Sequence, residues 1–177
     1  MSQVFLISDL HFGHRKVIKF EDNYRGKVLG VDTIEEHDEK ICDLWNDTVH
    51  KRDMVLVLGD IGYGLENFKK LPGRKKLLLG NHDTFSASKY LEYFDEIIGP
   101  IHYKKYWLSH FPIHPDELYG RKVIHGHTHS KGISDPRYIN VSIEMTNGRP
   151  ISFQDIKSGK YKTHTKVNKK FENLHQK

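Results

Sequence analysis

Cysteine is nearly absent. Cys42 is the single thiol in 177 residues, so no internal disulfide can form and a disulfide-stapled secreted scaffold is excluded. That usage suits a reducing, cytoplasmic compartment, and the amphipathic pattern around Cys42 reads it as a buried structural thiol rather than a reactive one. No apolar run approaches the roughly 18 residues of a membrane span. The opening Met-Ser-Gln leads straight into an apolar run, without the basic and apolar regions of a signal peptide. No membrane partner is therefore expected. Internal repeats, low-complexity tracts and Pro- or Ser-rich linkers are missing too, so nothing divides the chain. Its length suits one domain with a sizeable core. We expect that domain over residues 1–158 and a basic, partly ordered tail over residues 159–177, where lysines crowd and apolar residues are few. The net charge of +5 permits an anionic substrate or a nucleic-acid partner without demanding either.

Histidine, by contrast, is abundant: 13 residues, and their positions carry the argument. Short apolar runs end repeatedly in polar, metal-binding groups. VFLISDLH ends in Asp9 and His11, MVLVLGD in Asp60, and KKLLLGNHD in Asn81, His82 and Asp83. YWLSH ends in His110, and KVIHGHTH in His127 and His129. Runs of this length, rich in Val, Ile and Leu, predict strands buried on both faces. Between them lie helical patterns. Thr33 and Glu36 form a capping-box start, with Ile34, Ile41, Leu44 and Trp45 following at helical spacing. Leu65, Phe68 and Leu71 predict a shorter helix stopped by Pro72-Gly73, Tyr90, Leu91 and Phe94 a third, and PISFQDIKS the start of a last one. Alternating strands and helices make an α/β domain, in which ligands gather outside the carboxyl ends of the strands.

Residues at i and i+2 of an extended segment point the same way. Asp9 with His11, and His127 with His129, can therefore each chelate one ion. One such pair means little, but five consecutive strand ends supply Asp9, His11, Asp60, Asn81, His110, His127 and His129. Seven ligands exceed the about four that zinc takes. They suit two ions if one carboxylate bridges, and Asp60, at the central strand end, is the natural bridge. Imidazoles disfavour calcium and magnesium and favour manganese, iron, zinc or nickel; of these, manganese is the ion expected.

Taken together and in order, Asp9-x-His11, Gly59-Asp60, Gly80-Asn81-His82-Asp83, His110 and Gly126-His127-Thr128-His129 resemble the calcineurin-like metallophosphoesterase superfamily. The stretch DLHFGHRKVI is similar to its small bacterial and phage branch of predicted phosphoesterases. The match spans about residues 4 to 130. The resemblance implies two mixed β-sheets packed as a sandwich and flanked by helices. It assigns Asp9, His11 and His129 to a first metal and Asn81, His110 and His127 to a second, with Asp60 bridging. His82 would act as general acid on the leaving-group oxygen, while a hydroxide held between the ions attacks phosphorus. The protein Ser/Thr phosphatases of that superfamily carry GDxVDRG. Here GDIGYG places Tyr63 where their second Asp stands and lacks their Arg, so that branch is disfavoured.

The expected activity is hydrolysis of a small phosphodiester or nucleotide. Phosphomonoester hydrolysis is the runner-up, followed by a nuclease and then a non-catalytic metal-bound scaffold. No aromatic platform interleaved with basic residues is apparent for single-stranded nucleic acid. His14, Arg15, Tyr63 and His114 are candidate substrate contacts, each with a packing or surface role as its alternative. His125 is expected to hydrogen-bond behind the ligands. Arg25, Arg74, His37, His50, His102, His164 and His175 read as surface residues.

Overall fold

Alternation along a buried strand sets the layers. In β1 (Val4–Ile7), Phe5 and Ile7 meet Ile41, Leu44 and Trp45 of α2 (Ile34–Asn46), whereas Leu6 points the other way. There it joins Leu108, Ile124 and Ile139 of a second sheet. β2 (Met54–Val57) repeats the pattern, with Val55 and Val57 on the helix side and Leu56 between the sheets. These layers come from a computed structural model that describes residues 2–162, apart from the side chains of residues 21–23. Most of the expected tail, with His164 and His175, lies outside the described residues.

The first sheet adds β3 (Arg74–Leu78), β4 (Glu96–Ile98) and β9 (Ile151–Ser152), in the order β4-β3-β2-β1-β9. Its first four strands are parallel, and β9 runs antiparallel to β1. The second sheet is β5 (Ile101–Tyr103), β6 (Tyr106–Leu108), β7 (Lys122–His125) and β8 (Tyr138–Asn140), in sequence order. β5 is antiparallel to β6, and the rest are parallel. Helices α1 (Phe20–Leu29), α3 (Ala87–Tyr90), α4 (Ile143–Thr146) and α5 (Phe153–Ser158) complete the set. The fold is thus the expected α/β sandwich of two mixed sheets flanked by helices. Just past β1 and β8 the sheets touch: Ser8 N–H donates to the Val141 carbonyl at 3.0 Å, and Ile143 N–H to the Ser8 carbonyl at 3.2 Å. The carboxyl ends of both sheets therefore open on one face.

Several local expectations need correction. The Thr33 capping box is present, but the Leu65 segment is a 3-10 helix (Leu65–Lys69). The third helix is one turn ending at Tyr90, with Leu91 exposed, because Tyr90, Tyr93 and Phe94 suffice to reach the core. β3 begins in exposed Arg74 and half-buried Lys75 and Lys76, so it is not buried on both faces throughout. Among the described residues no helix is long and apolar enough to cross a membrane.

Candidate metal centre

Leaving β1, the chain runs on beside the extension of β2. Asp9 N–H donates to the Gly59 carbonyl (3.0 Å), His11 N–H to Asp60 (3.0 Å) and Phe12 N–H to Ile61 (2.9 Å). Leu10 and Phe12 turn into the core while Asp9 and His11 turn to the site, all four buried. The cost appears in the backbone. Asp9, His11, Asp60, His127 and His129 have φ of 60°, 50°, 55°, 66° and 50°. This left-handed region costs a non-glycine residue of order 1 kcal/mol or more, and such strain concentrates at functional sites. Two glycines let the loops close. A Cβ on Gly80 would stand 2.7 Å from the Asp60 backbone nitrogen, and one on Gly126 would meet Ser8 at 2.6 Å, each nearer still to side-chain oxygen.

Two groups of side chains converge. Asp9, His11 and His129 form one and Asp60, His110 and His127 the other, with ligand atoms inside each group within 4.8 Å of one another. Asp60 Oδ2 joins them, lying 3.8 Å from His11 Nε2 and 3.4 Å from His110 Nε2. Asn81 Oδ1 is 3.0 Å from His110 Nε2. Because His110 Nδ1 faces the Leu58 carbonyl at 2.7 Å, the neutral ring keeps its proton there and leaves Nε2 as an acceptor. In the neutral ring three acceptors then converge with no donor, and either a cation or a second ring proton shared with Asp60 resolves the conflict. His11 makes the same case, since both its ring nitrogens are buried with no hydrogen-bond partner. These imidazole, carboxylate and amide-oxygen donors fit divalent transition ions.

The surrounding electrostatics are set by named neighbours. Burial alone would raise the Asp60 carboxyl; the His110 ring and the His82 backbone N–H outweigh it and hold the group below the aspartate range. Asp83 goes the other way, because burial outweighs three backbone N–H donors. Those donors, Gly80 (2.7 Å), Asp60 (2.8 Å) and Ile61 (2.9 Å), mean that Asp83 ties the loop after β3 to the loop after β2. Ser142 Oγ donates to Asp9 Oδ2 at 2.9 Å. His125 bonds the Gly126 carbonyl at 2.8 Å, and burial pushes its pKa down to about 4.

His82 is exposed, with its ring 5.5 Å from that of His11 and its backbone N–H donating to Asp60 Oδ1 at 2.9 Å. His14 sits among His11 (5.4 Å), His82 (6.3 Å), Tyr63 (5.7 Å) and Phe20 (5.8 Å), ring centre to ring centre. The structure thus brings His14 and Tyr63 to the mouth of the site. Arg15, next in sequence to His14, is exposed, while exposed His114 lies 3.7 Å from the Asp116 carboxylate.

Two surface readings are overturned. Arg25 is 1% exposed and paired with buried Glu144, because α1 turns it inward toward α4. His37 is fully buried against Arg25 and Asp38. Its signal was present: His37 lies three residues after Ile34 and four before Ile41, on the apolar face of α2. Glu144, Ser142 and the Asp83 clamp were missed. A carboxylate set in the apolar run YINVSIEM is the cue that could have flagged Glu144.

No family model matches the chain. The gene 66 protein of Mycobacterium phage L5 is 31% identical, over 88% of this chain and 93% of the phage protein. The uncharacterized protein MJ1445 of Methanocaldococcus jannaschii is 30% identical, over 88% of this chain and 90% of its own length. The crystal structure of the protein of unknown function AQ665 from Aquifex aeolicus superposes with a TM-score of 0.67 at 26% identity, covering 89% of this chain and 99% of that one. With such identity along nearly the whole of both partners, the chain belongs to the same family as the phage L5 gene 66 protein and archaeal MJ1445.

Proposed function

We propose that this protein is a calcineurin-like metallophosphoesterase: a two-metal phosphodiesterase acting on a small phosphodiester or nucleotide. The observation that carries the reading is Asp60 Oδ2 standing between two groups of ligand atoms, each of which could hold an ion. In this reading Asp9, His11 and His129 would hold one ion and Asn81, His110 and His127 the other, with Asp60 available to both; the mixed imidazole and oxygen donors admit manganese, iron, zinc or nickel, and manganese is the ion proposed. Bound divalent ions would supply an acidified water and offset charge on the phosphate oxygens.

The remaining work falls to the chain's own side chains. Asp83 and the glycines hold the ligand loops against each other, which fixes the ligands before substrate arrives. His82, exposed and pinned through its backbone to Asp60, donates a proton or hydrogen bond to the departing oxygen. His14, Arg15 and Tyr63 line the approach and contact the ester's substituents.

The test is a paired assay on metal-stripped protein with Mn²⁺ restored, using bis-p-nitrophenyl phosphate and p-nitrophenyl phosphate. Diester turnover that returns with metal and is absent in Asp60→Asn supports the proposal. Monoester turnover alone would replace it with a phosphatase, and silence on both esters would count against hydrolysis of simple phosphoesters.

A further inference from the structure

Arg25 and Glu144 are buried, charged and unused by the reaction just described. We propose that their ion pair is the positioning device for the first ion. Glu144 fixes His129 in the tautomer that turns a bare Nε2 toward Asp9 and His11, and Arg25 holds Glu144 in place. The inference rests on reading the site as a two-ion centre and concerns residues outside its seven ligands.

Glu144 Oε1 accepts from Arg25 Nε at 2.7 Å, lies 2.6 Å from Arg25 Nη2, and stands 2.9 Å from His129 Nδ1. Arg25 Nη2 also lies 3.2 Å from His129 Nδ1. A guanidinium only donates and an ionised carboxylate only accepts. With the proton on Nδ1, His129 donates to Glu144 at 2.9 Å; with the proton on Nε2, Nδ1 could accept only from Arg25 Nη2 at the longer 3.2 Å, while the nearer carboxylate oxygen stands against its lone pair. The first arrangement wins. It leaves Nε2, 3.8 Å from Asp9 Oδ1, free to bind a cation. A carboxylate behind a ligand histidine also raises its basicity.

The network then turns back to the first ligand loop. Arg25 Nη1 donates to the Leu10 carbonyl (3.3 Å) and meets His37 Nε2 (3.4 Å). His37 Nδ1 bonds Asp38 Oδ1 (2.8 Å), and Asp38 Oδ2 accepts from Gly13 N–H (2.9 Å). Leu10 and Gly13 flank His11, so both ends of the first ligand group are held by one buried assembly. His110 of the second group leans instead on the Leu58 carbonyl. The effect of breaking the pair is therefore one-sided.

Calorimetric titration with Mn²⁺ of the metal-stripped full chain tests this. It is run on wild type, on Glu144→Gln, and on a double variant, Arg25→Met with Glu144→Leu, which removes both buried charges together. The expected result is one ion weakened about 10–100-fold in both variants and the other held as in wild type, whereas His110→Ala weakens the opposite ion. A folded double variant that binds both ions at wild-type affinity, or loses both alike, overturns the proposal. Should neither variant fold, long-range ¹⁵N–¹H correlation of wild-type His129, metal-free and at alkaline pH, decides: a protonated Nδ1 supports it and a protonated Nε2 overturns it. Wild-type protein that binds both ions yet hydrolyses no ester would sink the functional proposal and leave this one standing, because its readouts are binding and tautomer.

Discussion

His82 offers an exposed ring while its backbone is pinned to Asp60 Oδ1, so its side chain can be exchanged without moving the ligand loop. His82→Gln should lower turnover of esters with alkoxide leaving groups by about 10²–10⁴-fold. With bis-p-nitrophenyl phosphate, whose leaving group needs little proton assistance, the loss should be far smaller. Steady-state rates on the two substrate types check this, and equal losses would remove His82 from the acid role. Cys42 gives a pH prediction. Burial raises its pKa to about 11, so less thiolate is present at any pH below that. Alkylation by iodoacetamide should run about 10²-fold slower than for the unfolded chain, whose thiol sits near pKa 8.5. The native rate should rise tenfold per pH unit until about 11. The structure leaves Cys42 half-buried rather than buried, packed against the core's edge, and a fast native reaction at neutral pH would contradict a structural role for it.

The loops depend on close approach as much as on ligand chemistry. Gly126→Ala would drive a methyl into Ser8 and the Asp9 carboxylate, at an overpacking cost of about 1–3 kcal/mol. A lower melting temperature together with weaker Mn²⁺ binding is expected; a variant melting and binding like wild type would show that the loop yields. How far such elements can be read from sequence depends on what holds them. β1, β2 and β7 were legible because branched apolar residues fill both faces and stop abruptly at Asp9, Asp60 and His127. α1 was not, since FEDNYRGKVL carries no sustained apolar stripe. α4 is a single turn, too short to show a helical period, and its Glu144 meets Arg25 119 positions away in sequence. The ligands were legible because each is local to its own strand end. The groups that hold them, Asp83 excepted, come from elsewhere in the chain, so local spacing can mark Glu144 or His37 as buried but not say which ligand each supports.

At the scale of the whole molecule, each ligand group draws on both sheets: Asp9 and His11 with His129, and Asp60 with His110 and His127. A bound ion is then a cross-link between layers, and it stabilises the native state by mass action. Mn²⁺ at a hundredfold excess over its Kd should add about 2.7 kcal/mol. For a chain of this size that is roughly 5–10 °C in Tm, reversible with EDTA and seen by scanning calorimetry. A Tm indifferent to both additions would mean that no ion binds the folded protein.

That cross-sheet membership also has a temporal meaning. Synthesis proceeds from the amino end, so the first hundred residues can pair β1 through β4 and present Asp9, His11, Asp60 and Asn81, but no His110, His127 or His129. Neither group closes until the second sheet has been made and docked at the Ser8–Ser142 bridge. An unfinished chain is thereby barred from assembling either group of ligands, which come together only in the completed fold.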